Sequence, residues 1–264
     1  MASTKSLSPS KITTYLACPT KYRWTYVDPR GRIYLRSKSY FSFGTSLHRV
    51  LQRFHDSGDT GVTTLAEATA ALEESWIDAG YANAEEMTQA LAEGKEIISS
   101  YVEQVQKAPV TAKTLYIEKT LKVTLDDFLL IGRLDRVDEW EDGTLEILDY
   151  KTGRSGVTNE EAAQDLALSV YQLLVKKHHP DRPVCASIIA VRSGEKGTFS
   201  LSESDLAELE TDLKSICSEI LNRDYENLRP KVKSLCPSCD FLKLCRKDPD
   251  FNEDYGSISE PSAD

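Results

Sequence analysis

Between residues 114 and 151 the apolar residues alternate with polar ones, and no other feature of the chain narrows its fold as far. Leu115, Ile117, Leu121, Val123 and Leu125 mark a first period-two run, and DFLLIGRLDRVDEW and TLEILDYK continue it as two more. That period belongs to half-buried strands, because successive side chains point to opposite faces of a sheet. Asp142-Gly143, between the second and third runs, is a hairpin turn signal, since glycine accepts the positive φ that such turns need. Outside this block the spacing is helical. Ser8 and Pro9 start a helix as cap and first-turn proline, with Ile12, Tyr15 and Leu16 on its apolar face and Cys18-Pro19 at its end. Residues 30–40 read as a basic loop, a helix fits 44 to about 56, and two more fit 64–106. Beyond the strands, EEAAQDLALSVYQLLVKKHH reads as a helix, VCASIIAV as a buried strand, TFSLS as a short edge strand, and Leu206 to Ile220 as one face of a long helix. This order predicts an α/β fold with a central mixed sheet flanked by helices.

The chain has 264 residues, 40% hydrophobic and 28% charged, a balance that suits a soluble globular protein rather than a disordered or fibrous one. No window approaches the roughly 18 apolar residues of a membrane span, and the first twenty lack the apolar core of a secretory signal, so a cytoplasmic protein that does not enter a membrane is expected. The net charge of −10 argues against a sequence-blind nucleic-acid coat, which needs Lys and Arg to neutralise phosphate. Its distribution qualifies that. Residues 1–40 carry eight cations against Asp28 alone, whereas 57–106 hold ten acids and one lysine. A basic entrance on an acidic body is compatible with a polyanion bound at one place, as it is with a solvated basic loop.

Asp149 and Lys151 of LEILDYKTG share a strand face and Tyr150 takes the other. The hairpin can bring Asp135, from GRLDRVD, beside Asp149. Two carboxylates and a lysine on adjoining strands suit a hard divalent cation with oxygen ligands, the ammonium near a bound water. An exposed cross-strand ion pair, worth little, has the same spacing.

The surrounding residues resemble the catalytic core of the PD-(D/E)XK nuclease superfamily, and its RecB-type branch more closely. That branch has a G-x-x-D segment and then D-Y-K-T-G, here GRLD and DYKTG, after a helix with G-x-x-x-H, here Gly44 to His48. SPSKITTYLACPTKYRW resembles its N-terminal segment, so the matches run over residues 8 to 245. The resemblance implies a restriction-endonuclease-like fold. It also implies that His48, Asp135 and Asp149 bind Mg²⁺ or Mn²⁺ with the Tyr150 carbonyl as a further ligand, and that Lys151 orients or helps deprotonate the attacking water. Glu118, in YIEKTLKV, takes a position that in related nucleases lies near the metal; an exposed strand glutamate is the alternative. The family usually has Gln four residues before a Tyr on the next helix. Aligning on Tyr171 puts Ala167 there, with Gln164 one turn earlier, so Tyr171 can contact DNA or brace the site while the Gln role is open.

Of six cysteines, Cys185 and Cys217 sit in apolar patterns and read as core thiols. Cys236, Cys239 and Cys245 form a C-x2-C-x5-C run, one thiolate short of a four-ligand set, and Cys18 is the candidate fourth. The layout resembles that of iron–sulfur nucleases of the RecB-type branch, which implies a 4Fe–4S cluster joining the N- and C-terminal segments; structural zinc is the rival. The function implied is a metal-dependent deoxyribonuclease, an exonuclease acting on single strands or duplex ends in DNA repair or recombination. Any helicase would be a separate protein, since the chain has no G-x-x-x-x-G-K-S/T run. A CRISPR-associated spacer-processing nuclease, a catalytically silent iron–sulfur DNA-binding subunit and a zinc-stabilised adaptor are the other readings. One domain is expected over residues 1–246, with a helical insertion at about 57–110 and a cysteine segment at 230–246, then an acidic, disordered tail at 247–264.

Overall fold

In a computed structural model of the chain, which describes residues 5–56, 61–108, 111–153 and 156–259, the three period-two runs are strands. They are β2 (Lys113–Leu125), β3 (Phe128–Glu139) and β4 (Leu145–Lys151), preceded by a short β1 (Lys5–Leu7). The turn between β3 and β4 closes with Trp140 N–H donating to Thr144, and Gly143 takes φ +88°; a side chain there would be strained, which is why glycine follows Asp142. β3 pairs antiparallel with β2 along its length and with β4 over Arg136–Glu139, while β1 runs parallel to its first residues. β4 pairs in parallel with β5 (Val184–Ala190), and β5 antiparallel with β6 (Glu195–Phe199), completing a mixed six-stranded sheet. β4 is buried from Leu145 to Tyr150, as befits a strand with neighbours on both edges and helices above it.

The helices divide between two compact units, one of residues 5–9 and 37–214, the other of 10–36 and 215–259. The first holds the sheet. The second contains α1 (Pro9–Ala17) from its second residue, α2 (Pro19–Tyr22) running into a π-turn at Arg23–Val27, and a 3₁₀ turn at Pro29–Tyr34. Back in the first unit, α3 (Ser39–His55), α4 (Leu65–Ser75) and α5 (Ala84–Lys107) pack Leu47, Leu51, Leu72 and Ile98 into one core cluster with Tyr150 of β4. Thr64 with Glu67 forms a capping box at the start of α4, and Asn83 caps α5, satisfying amides that would otherwise lack partners.

The single helix expected after β4 is broken into α6 (Asn159–Ala163) and α7 (Leu166–His178). Asp165 causes the break, accepting the Ala167 and Leu168 amides at 2.8 and 3.3 Å as the cap of a new helix. α7 crosses β3 at Gly132, where a Cβ would come within 2.5 Å of Leu174 and 2.9 Å of Tyr171. The glycine of the GRLD segment is therefore a packing requirement. α8 (Glu203–Asn222) follows, then a 3₁₀ turn at Cys236–Ser238, α9 (Leu242–Cys245) and α10 (Pro249–Ser259).

The stretch expected as one domain spans both compact units. Residues 249–259 of the expected disordered tail are helical, anchored by the buried Phe251. The helix expected from Gly44 begins at Ser39, so the end of the expected basic loop is helix. Residues 57–60 and 109–110 of the expected insertion and 260–264 of the tail lie outside the described residues.

Candidate active site

Four elements supply the site. β3 carries Asp135, β4 carries Asp149 and Lys151, α3 brings His48 and β2 brings Glu118. The Arg136–Leu148 register sets Asp135 alongside Asp149, and the Tyr150 N–H donates to Asp135 Oδ2 at 2.9 Å, fixing the carboxylate. His48 Nδ1 lies 3.4 Å from the same oxygen. Glu118 occupies the left-handed region of the backbone at φ +48°, a strained state for a non-glycine residue within a strand, of the kind that collects at functional sites. Its carboxylate meets Arg133 at 2.6 Å. One ligand atom from each of His48, Glu118 and Asp135 lies within 4.8 Å of the other two.

Asp149 stands apart from that triple. It is buried, and its Oδ2 lies 2.7 Å from Lys151 Nζ. Lys151 also faces Asp165 at 3.7 Å, a residue that sequence reasoning did not single out; its only signal was a cap-type aspartate inside a helical pattern. Burial and Asp135 push Asp149 up to about 6 against the pull of Lys151. Burial alone would lower Lys151 and His48, but the surrounding carboxylates outweigh it and raise both. Glu118 is raised as well, by burial and then by Asp135. Four carboxyl groups crowd one small volume, and a polyvalent cation is what such a set of hard oxygens with one imidazole suits.

Tyr171 lies on α7 against Gly132, its phenol raised by burial and then by Asp149 and Asp135, so it stands within the field of the carboxylates. Gln164 caps the end of α6 and is not on the helix that carries Tyr171. Ala167 lies in the first turn of α7. His178 and His179 end that helix, with His179 bonded to Tyr116 at 2.9 Å.

Tyr150 turns its side chain inward. Its hydroxyl accepts from Arg136 at 2.9 Å, Arg136 pairs with Asp138 at 2.7 Å, and Tyr101 links Tyr150 to His55 through contacts of 3.3 and 2.8 Å. Burial, assisted by Arg136, pushes the His55 imidazole down to about 3. The unfolded chain takes up this proton near 6.5 and the folded chain only near 3. The stabilising contribution is therefore complete above pH 6.5 and declines as pH falls toward 3. Between pH 7 and 5 this group is expected to cost up to about 2 kcal/mol. Urea unfolding of the wild type and His55→Gln at both pH values isolates it; equal losses in the two proteins would acquit His55.

In the second unit the four cysteines of interest come together. Cys18 caps α2, its sulfur accepting the Lys21 amide at 3.4 Å, and Cys236 accepts that of Lys233 at 3.3 Å. Burial raises the Cys239 and Cys245 thiols, Cys245 to about 12, and Cys18 and Cys236 add to both shifts. Cys217 is fully buried and Cys185 partly so.

A helix-flanked mixed sheet that presents carboxylates and a lysine from adjoining strands, with a histidine from the covering helix, is the framework of a hydrolytic nuclease. The sequence matches the PD-(D/E)XK nuclease superfamily over residues 6–246, and the chain belongs to that family. Nucleases of this superfamily use divalent metals, and the His48, Glu118 and Asp135 donors fit one. Among solved structures the chain is similar to a protein designated SSO0001, at 16% identity and TM-score 0.32, over 78% of this chain and 84% of that one. It is also similar to a candidate exonuclease from Eubacterium rectale, at 11% identity and TM-score 0.35, over 81% and 93%. No curated protein matches the chain. Among the described residues no helix is long and apolar enough to cross a membrane.

Proposed function

We propose that the protein is a deoxyribonuclease that uses Mg²⁺ or Mn²⁺ and degrades DNA from single-stranded or duplex ends, in repair or recombination, beside a separate helicase. The observation that carries this reading is the convergence of His48, Glu118 and Asp135 within 4.8 Å, next to the Asp149–Lys151 pair, in a chain of a nuclease family. His48, Glu118 and Asp135 would hold the cation, with Asp149 and the Tyr150 carbonyl completing its surroundings. A divalent ion there supplies positive charge where the phosphate becomes more negative, and acidifies water. Lys151 keeps its proton, because Asp149 and Asp165 hold its pKa above the ordinary value. It therefore orients water and stabilises phosphate charge rather than accepting a proton. Tyr150 N–H keeps Asp135 oriented throughout.

A 4Fe–4S cluster on Cys18, Cys236, Cys239 and Cys245 is part of the same proposal. Its support is the mutual influence of the four thiols and the amide donors at Cys18 and Cys236. Structural zinc on the same four thiolates is the rival reading.

End-labelled single- and double-stranded DNA incubated with anaerobically purified protein and Mg²⁺, Mn²⁺ or EDTA tests the activity. Metal-dependent degradation with a product ladder from one end is expected. Binding without cleavage under either metal would replace the proposal with a silent DNA-binding subunit.

A further inference from the structure

The early start of α3 has a consequence at the mouth of the cleft. Tyr40 and Phe41 stand in the first turn of that helix, 63% and 65% exposed, with ring centroids 4.4 Å apart and ring planes at 44°. The fold does not use them as core. Phe43, two residues on, is the aromatic that enters the core, edge-on to Trp76 at 6.0 Å. Both exposed rings line the same cleft, about 670 Å³, that is walled by Asp135, Asp149 and Lys151.

Three guanidinium groups share that cleft. Each is fixed: Arg133 by Glu118 at 2.6 Å, Arg192 by the Thr152 carbonyl at 2.8 Å, and Arg49 by the Ser75 carbonyl at 3.1 Å. A groove with positioned cations and an exposed aromatic step is what a single nucleic-acid strand needs, the cations tracking phosphates and the rings offering a face to a base. A base inside a duplex has both faces covered by its neighbours. The rings can therefore engage only an unpaired base or the last base of an end.

We propose that Tyr40 and Phe41 form a stacking platform that seats one or two unpaired bases of the substrate strand at the cleft, and so favour single-stranded or frayed ends over fully paired ones. The proposal rests on the nuclease reading for its substrate. Both rings are exposed, so truncating them leaves the core intact.

The test uses the full chain with oligonucleotides carrying 2-aminopurine at successive positions, in Ca²⁺ or EDTA to separate binding from hydrolysis. Wild type is expected to quench the probe at one or two adjacent positions. The Tyr40→Ala/Phe41→Ala double variant loses that quenching and binds single strands about 10- to 100-fold more weakly, while Phe41→Trp retains both. In cleavage assays, an abasic step at the quenched position slows the wild type to the rate of the double variant and leaves the variant's rate unchanged. Equal quenching and affinity in wild type and double variant would overturn the platform, as would an equal loss on abasic and intact strands. Position-specific quenching without cleavage under Mg²⁺ or Mn²⁺ would sink the nuclease reading and keep the platform. Cleavage without any such quenching would do the reverse.

Discussion

Asp149→Asn is expected to lower DNA cleavage by at least about three orders of magnitude while leaving the fold no less stable. The substitution keeps shape and volume and removes one charge from the most crowded part of the site. Asp149 is buried, its carboxyl held up to about 6 by burial and by Asp135. In the metal-free protein at pH 7 it is therefore ionised at a cost that the neutral amide avoids. The sign follows from linkage: a group whose folded value exceeds the unfolded one withdraws stability as pH rises through that interval. The same charge is what the proposed cation and Lys151 would require. In the variant, Lys151 would keep the fields of Asp165, at 3.7 Å, and Asp135 and lose its 2.7 Å partner. A buried carboxylate retained at a cost in stability is the mark of a functional group. Cleavage rates with Mn²⁺ and thermal midpoints in EDTA check both halves. A midpoint well below wild type would show Asp149 to be a structural ion-pair partner, and cleavage near the wild-type rate would remove it from the chemistry.

Much of this site is legible in the sequence because strand geometry is simple. Period two places Asp149 and Lys151 on one face and sends Tyr150 to the other, and the structure pairs the first two at 2.7 Å and buries the third. A short hairpin then leaves little freedom over which residue lies beside Asp149. What resists reading depends on backbone states and long-range packing. Nothing in YIEKT announces that Glu118 adopts φ +48°, since glutamate has no preference for that region. The Asp165 cap competes with a continuous helical pattern, and the local hydrogen bonds decide in its favour. α3 starts at Ser39 without a side-chain cap at Lys38, so the usual start signal is missing and Tyr40 and Phe41 pass for loop. β1 is three residues long, too short to show a period, and is a strand only because β3 offers it an edge. The helix at 249–259 lies in an acidic composition that suggests disorder, and Phe251 is the apolar anchor that overrides it.

Cys239→Ser is expected to abolish iron incorporation and to lower the unfolding temperature by about 10 °C or more. The unit of residues 10–36 and 215–259 draws its two segments from opposite ends of the sequence, so its folding must close a loop between Cys18 and Cys236 of some 218 residues. The logarithmic law puts that closure at roughly 5 kcal/mol. Against it the unit has Tyr15 bonded to Glu219 at 2.6 Å and Arg223 at 2.9 Å, Tyr22 stacked on Tyr225 at 5.7 Å, and Lys233 reaching the Ala17 carbonyl at 2.9 Å. Single hydrogen bonds, ion pairs and ring stacks of this kind contribute about 1 kcal/mol each. The proposed cluster, bound by all four thiolates, would supply several times that, because coordination free energy appears directly as folding free energy. Removing one ligand leaves Cys18, Cys236 and Cys245, the last pushed up to about 12 by burial, and three such thiols would hold an inorganic core poorly. Iron and sulfide analysis beside calorimetry measures both effects. Asp149→Asn serves as the crossed control, expected to keep full iron content while losing cleavage. Zinc in the purified wild type would replace the cluster with a structural ion, and an unchanged unfolding temperature in an iron-free Cys239→Ser protein would show that the cluster does not hold the unit together.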